Sequence, residues 1–243
     1  MADRHRRVLQ HRARRAILAA LLAAACFGFA RQSSAQDALD AQAVASLVQS
    51  FYDQTTTIAA DFHQTQYTKL YDRTERARGH VVFKKPGKMR WDYASPNGQV
   101  FVSDGQRLSI YQPPDEGEQG GQLIERPLSE DQLPQAFSFL TGTGRLDRDF
   151  HLRLLDPRRQ GFPDGYVLEL RPRVPSANYE KVLFFVQVVE QGGRRAGIIK
   201  RVLIIDAAGN RNRFDFRNMR FNTDVPDRTF QFTAPRGTRR VEP

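Results

Sequence analysis

The sequence predicts a mainly β protein, either a barrel or a strongly curved antiparallel sheet, with one N-terminal helix. Three observations carry this. A helical apolar period occurs clearly once, near the start of the chain. After Thr55, about ten to twelve short apolar runs follow one another, most of them alternating with polar residues. Gly, Pro and Asn turn signals separate those runs, which leaves no room for strand–helix–strand units.

The helix comes first. Asp37 is placed to cap it, and Leu39, Ala43, Leu47 and Phe51 recur every four residues, with Val44 and Val48 beside them. The strand runs then include Val81 and Phe83, Met89 to Tyr93, Leu108 and Ile110, Phe150 to Leu154, and Tyr166 to Leu170. Residues 182–189, 198–205, Phe214 with Phe216, and Phe230 with Phe232 complete the set. Residues 133–140, Leu-Pro-Gln-Ala-Phe-Ser-Phe-Leu, are too apolar for a plain loop and alternate poorly, so a short helix lying across the sheet is expected there.

Residues 83–113 mix basic and aromatic side chains between turns. Pro86-Gly87 and Pro96-Asn97-Gly98 break the segment into strands at about residues 81–84, 88–93 and 99–103. Alternation then puts Met89, Trp91 and Tyr93 on one face and Lys88, Arg90 and Asp92 on the other. The basic residues become a solvated outer face. The aromatic row is either filled core or the wall of a cavity, and periodicity does not separate the two. Residues 182–186 and 198–205 are apolar on both faces and require a cover on each side, for which residues 133–140 are a candidate.

The first 35 residues read as a cleaved leader. Six arginines and two histidines precede an uncharged apolar run at residues 16–30, and Ser33-Ser34-Ala35 offers a cleavage site. The run is short for a membrane span, which needs about 20 residues. Residues 36–243 are then a single domain. Cys26, the lone cysteine, lies in the leader, so the mature chain has no thiol chemistry; Ala23 stands where a lipidation signal has leucine. Arg14-Arg15 leaves open whether export is general or twin-arginine. Of 37 basic and 27 acidic residues the leader takes 7 and 1, leaving 30 against 26, or +4. A nucleic-acid partner, which needs a strong basic field, is therefore not expected.

From Phe51 to the C-terminus the chain resembles the periplasmic outer-membrane lipoprotein carriers (LolA). The resemblance rests on Phe62-His63-Gln64-Thr65-Gln66, Gly79, the Lys85-Pro86 turn, Arg90-Trp91-Asp92-Tyr93, Pro96, Val102-Ser103-Asp104-Gly105 and Tyr111. It continues through Leu133-Pro134, Phe139-Leu140-Thr141-Gly142 and Phe230 to Gly237, the last resembling a closing strand and its turn. It implies an incomplete, half-open antiparallel β-barrel with short lid helices, acting without catalysis or cofactor as a monomer in the periplasm. It further implies acylated lipoproteins as cargo, received from an inner-membrane ATP-driven releasing transporter and passed to an outer-membrane acceptor. Residues expected to line the acyl-chain cavity are Met89, Trp91, Phe101, Phe184 and Phe214, with Leu133, Phe137, Phe139 and Leu140 as lid. No GxxxxGK phosphate loop is present, in keeping with energy supplied elsewhere.

One departure concerns the basic turn. Family members often have arginine immediately before its proline, important for cargo handling; here it is Lys85, which keeps the charge and loses the planar fork. Lys85 is thus the candidate latch or cargo turn. The stretch from Pro113 to Gly121 is long for a hairpin tip and is expected as a loop. Other function classes remain in play. A lipid-binding sensor or an outer-membrane acceptor on the same fold is one, although an acceptor needs Cys26 as its mature N-terminus. A hydrolase is another. Its histidines, His63, His80 and His151, are isolated, Ser103 lies in a turn sequence rather than a nucleophile elbow, and a carboxylate pair from Asp92, Asp104 and Glu169 is the remaining option.

Overall fold

The computed structural model describes residues 39–118, 120–128 and 144–241, and the following concerns those residues. The helical period becomes α1, Ala41–Asp53. Its cap is Asp40, whose carboxylate accepts the Ala43 N–H at 2.7 Å; Asp37 lies outside the described residues. The buried side chains are Val44, Ala45, Val48, Gln49 and Tyr52, one position round from the expected stripe of Leu39, Ala43, Leu47 and Phe51, which is only half-buried. The cause is close docking. A Cβ on Gly197 would stand 2.8 Å from Val48 Cγ2 and 2.9 Å from the Val48 nitrogen, so only compact side chains fit the seam. Leu47 and Phe51 are displaced to its flank.

Twelve strands follow: β1 Thr57–Thr68, β2 Arg73–Lys84, β3 Lys88–Ser95, β4 Val100–Asp104, β5 Arg107–Gln112, β6 Gln122–Pro127, β7 Phe150–Leu155, β8 Tyr166–Pro172, β9 Lys181–Gln191, β10 Arg194–Ile205, β11 Arg211–Phe221 and β12 Arg239–Val241. They form one open sheet in the order β12-β6-β5-β4-β3-β2-β1-β11-β10-β9-β8-β7. Two meanders meet through the antiparallel pair β1–β11, and a second helix, α2 (Leu146–Asp149), precedes β7. The expected mainly β, incomplete barrel is thus an unclosed sheet.

Two expectations need correction. The sheet is not wholly antiparallel, because β12 pairs with β6 in parallel. Nor do Phe230 and Phe232 lie on a strand: a 3-10 turn, Asp227–Phe230, interrupts the segment. Their rings serve as cover instead. Phe230 packs with Val225, Ala59, Val82 and Val102, and Phe232 joins the edge of that cluster, so the segment spends its apolar groups on a sheet face rather than a ladder.

Curvature follows from ring contacts. Trp91 on β3 and Phe214 on β11 are three strand steps apart, about 14 Å in a flat sheet. Their ring centroids stand at 5.4 Å. The sheet therefore curls around the face that carries the main core, from Leu108 on β5 to Leu170 on β8. The opposite, outer face has two smaller apolar clusters, one under Phe230 and one where Phe162 meets Phe185 and Leu183. Strand β9 is indeed covered on both faces, although Phe162 supplies the outer cover; residues 133–140 lie outside the described residues. No helix among the described residues is long and apolar enough to cross a membrane.

Candidate functional site

The inner face is built on one register. Phe62 on β1, Gly79 on β2 and Tyr93 on β3 are direct partners across the sheet. A Cβ on Gly79 would lie 2.8 Å from the Phe62 ring and 2.0 Å from the Asp92 carbonyl oxygen. With no side chain there, Phe62 and Tyr93 meet over β2 at 4.9 Å, edge to face. Phe62 also contacts Trp91 at 5.0 Å, and Trp91 contacts Phe83 at 5.7 Å. Such pairs contribute about 0.5–1.5 kcal/mol each beyond area burial. Burial pushes the Tyr93 hydroxyl up to about 12.

The sequence-predicted cavity residues all fall on this face. Met89, Trp91, Phe184 and Phe214 are buried there, and Phe101, half-buried, reaches the row through Tyr93 at 5.8 Å. Phe214 and Phe184 align across β10 through Val202. The lid candidates Leu133, Phe137, Phe139 and Leu140 lie outside the described residues. Periodicity missed Phe62, the hub of the row, because Ala60, Gln64 and Gln66 dilute the alternation of β1; it served only as part of a family motif.

Among the described residues the row is closely packed, with Phe62, Phe83, Met89, Trp91 and Phe214 all buried. Beneath the C-terminal half of α1 lies a void of about 10 Å³, lined by Tyr52, Ile58, Phe83, Ile199, Phe216 and Met219 among others. That is room for about one water. A larger apolar guest at this point must displace α1 or its neighbours. A second recess, about 130 Å³ and polar, lies between α1 and α2, where the Gln49 side chain accepts the buried Leu146 N–H at 2.9 Å and donates to Asp53 at 2.8 Å.

Polar ties hold α1 to the sheet at Tyr52. The Tyr52 hydroxyl accepts the Ile199 N–H at 3.2 Å, beside the bulge in β10, and burial pushes its pKa strongly up. Lys85 donates from Nζ to the Tyr52 carbonyl, at the negative end of the helix. Partial desolvation lowers its pKa, and nearby Asp53 opposes that. The basic turn is therefore attached to the helix terminus.

The groups a hydrolase would need are dispersed. His63 is exposed, His80 meets Asp61 at 3.0 Å and His151 meets Arg173 at 3.3 Å. Asp92 is chelated by Arg90, and it lies four residues along the ladder from Asp104, about 13 Å. Asp104 accepts the Gln106 and Arg107 N–H groups, which lower its pKa. Glu169, buried between Arg153 and Arg171, is six strands from Asp92. Ser103 shapes the turn it was expected to shape, accepting the Gly105 N–H at 3.1 Å. Among the described residues no three His, Cys, Asp or Glu side chains cluster to hold a metal.

The model of the outer membrane lipoprotein carrier protein LolA family matches residues 53–233. The chain belongs to this family. An outer-membrane lipoprotein carrier protein of Nitrosospira multiformis is 29% identical over 190 residues, covering 78% of this chain and 84% of the relative. The namesake from Bordetella avium is 32% identical over 166 residues, covering 68% and 71%. Among solved structures, a LolA superfamily protein from Nitrosomonas europaea aligns with 80% of this chain and 99% of its own, at 18% identity and a TM-score of 0.45. Within this LolA frame, the inner aromatic face and the helix over it are the candidate site.

Proposed function

We propose that this LolA-family chain is a periplasmic carrier that shields the acyl chains of lipoproteins on its inner face, with residues 1–35 removed on export. Its cargo comes from an inner-membrane, ATP-driven releasing transporter and goes to an outer-membrane acceptor. The observation that carries this reading is the inner hydrophobic core cluster, which spans the curl of the sheet and is roofed by α1. An acyl guest can replace most of these apolar contacts with apolar contacts, and the polar bonds that moving α1 breaks include those of the Tyr52 hydroxyl and carbonyl. Each methylene withdrawn from water contributes about 0.8 kcal/mol, which makes a carrier necessary for acylated protein in an aqueous compartment. Met89, Trp91, Phe101, Phe184 and Phe214 form the wall that the guest contacts once α1 moves. Lys85 positions the helix end that must be released.

Trp91 is the sole tryptophan, so its emission reports entry of a guest. Native mass spectrometry of the exported protein with a triacylated lipoprotein, its delipidated form and phospholipid tests the reading. A one-to-one complex with the acylated form alone, accompanied by a Trp91 emission change, is expected. Binding of the delipidated form, or of nothing, refutes it; binding of free phospholipid alone replaces lipoprotein carriage by lipid transfer.

A further inference from the structure

Among the described residues three large apolar side chains are strongly exposed: Leu70 at 80%, Tyr71 at 74% and Val174 at 79%. Single exposed apolar residues are ordinary. Leu70 and Tyr71, however, are neighbours at the tip of the β1–β2 hairpin, and the backbone there is firmly held. Lys69–Tyr71 form a 3-10 turn closed by Asp72 in the left-handed region, φ 46°, with its N–H donating to the Lys69 carbonyl at 3.3 Å. The Tyr67 hydroxyl donates to the Asp72 carboxylate at 3.1 Å, and the Lys69 N–H donates to the Asn210 side chain at 2.9 Å. The latter bond joins the tip to the turn between β10 and β11. Strand β2 also runs five residues, 73–77, beyond its last pair with β3, so the tip stands clear of that neighbour.

The charge around the tip is positive. Lys69, Arg76 and Arg211 have no carboxylate at ion-pairing distance among the described residues, while Arg73 pairs with Glu75 at 2.6 Å. Arg211 lies over the Tyr67 ring, 6.0 Å from its centroid. We infer that this tip docks on an anionic phospholipid surface, with Leu70 and Tyr71 entering the headgroup layer and Lys69, Arg76 and Arg211 facing its phosphates. Leucine with an amphipathic tyrosine and a basic collar is what the interface of an anionic bilayer takes. Two side chains on a narrow turn offer far less than the roughly 800 Å² per partner that a stable protein interface buries. Such docking is weak and reversible, as a protein that visits membranes without residing in them requires. The inner face at this end is polar, with Gln64 and Gln66, so the tip is separate from the proposed cargo site.

The test is co-sedimentation of the exported, cargo-free protein, purified from periplasmic extract, with phosphatidylcholine vesicles with and without phosphatidylglycerol. Binding that needs phosphatidylglycerol is expected, weakened about tenfold or more by raised salt and, separately, by the pair Leu70→Ser and Tyr71→Ser. Both side chains are exposed, so the double variant keeps the wild-type melting temperature and its affinity for an acylated lipoprotein. No vesicle binding, or binding that the double variant retains, overturns the inference. So does photo-crosslinking from position 71 that captures a protein and no lipid, which makes the tip a protein-docking site. None of these outcomes bears on the inner face.

Discussion

Replacing Gly197 by alanine tests whether α1 is the gate to the inner face. The new methyl carbon would stand 2.8 Å from Val48 Cγ2, 2.9 Å from the Val48 nitrogen and 3.2 Å from the Leu47 carbonyl carbon. Two of these are helix backbone and cannot rotate aside, so the whole helix must shift. Overpacking of this kind costs about 1–3 kcal/mol. Loss of glycine's freedom in the unfolded chain offsets about 0.4–1 kcal/mol of it. A net loss near 1–2 kcal/mol lowers the melting temperature of a domain this size by about 2–8 °C. If the guest enters by undocking α1, the overpacking cost falls on the closed state only, and the unfolded-chain offset cancels between the closed and open folded states. The open fraction then rises about tenfold per 1.4 kcal/mol, and the apparent Kd for an acyl probe falls by the same factor. Thermal melts by circular dichroism, paired with probe titrations read at Trp91, measure both quantities. A lower melting temperature with an unchanged Kd refutes α1 as the gate. An unchanged melting temperature refutes the close docking itself.

Trp91→Ala removes the centre of the aromatic row and is expected to cost about 3–5 kcal/mol, read as a lower urea midpoint by circular dichroism. Acyl-probe affinity drops with it. Lys85→Met deletes the donor to the Tyr52 carbonyl at the helix terminus; about 0.3–1 kcal/mol of stability is lost, and hydrogen exchange in the last turn of α1 accelerates, whereas Lys85→Arg preserves both. Asp227, hydrogen-bonded by Lys84 and Lys88, has its pKa lowered from 3.8 to about 2. Its contribution is therefore complete above pH 3.8 and disappears as pH falls toward 2, loosening the segment around Phe230. Asp227→Asn flattens that part of the acid-stability profile measured by thermal melting.

Much of this architecture was legible from alternation alone, because a half-buried strand writes its burial directly into period two. Lys88 to Tyr93 appears on the faces the pattern assigns, with Met89 and Trp91 buried and Arg90 bonded to Asp92 on the outer side. Strand β1 was harder to see: Ala59 and Ala60 pack on opposite faces yet carry the same side chain, so the pattern loses contrast there. The one-residue error in the α1 face has a tertiary cause, since only the absence of a side chain at Gly197, some 150 positions away, selects Val48 over Leu47. Phe230 and Phe232 look like a strand for the opposite reason. Their spacing is right, but the register that would give them ladder partners belongs to β12 and β6. The distinction between filled core and cavity wall was invisible in sequence because period two places Trp91 and Phe214 on the same inner face in either case.

The two faces of the sheet are held together by different forces, and that difference selects the guest. On the outer face, Lys84 and Lys88 grip Asp227 at 2.7 and 2.8 Å, Arg90 reaches the Thr229 carbonyl at 3.2 Å, and Arg201 and Arg213 share Asp215. Separating these groups would leave partners to be resolvated one by one. On the inner face the seam between α1 and the sheet is mostly dispersion and apolar burial, with polar ties at the Tyr52 hydroxyl and carbonyl. An apolar chain entering that seam exchanges like for like, whereas a polar ligand forfeits about 1–3 kcal/mol for each group left without a hydrogen bond. In the carrier reading proposed above, the same chemistry that packs the row disfavours water and polar solutes, and long hydrocarbon is the guest for which opening is least unfavourable.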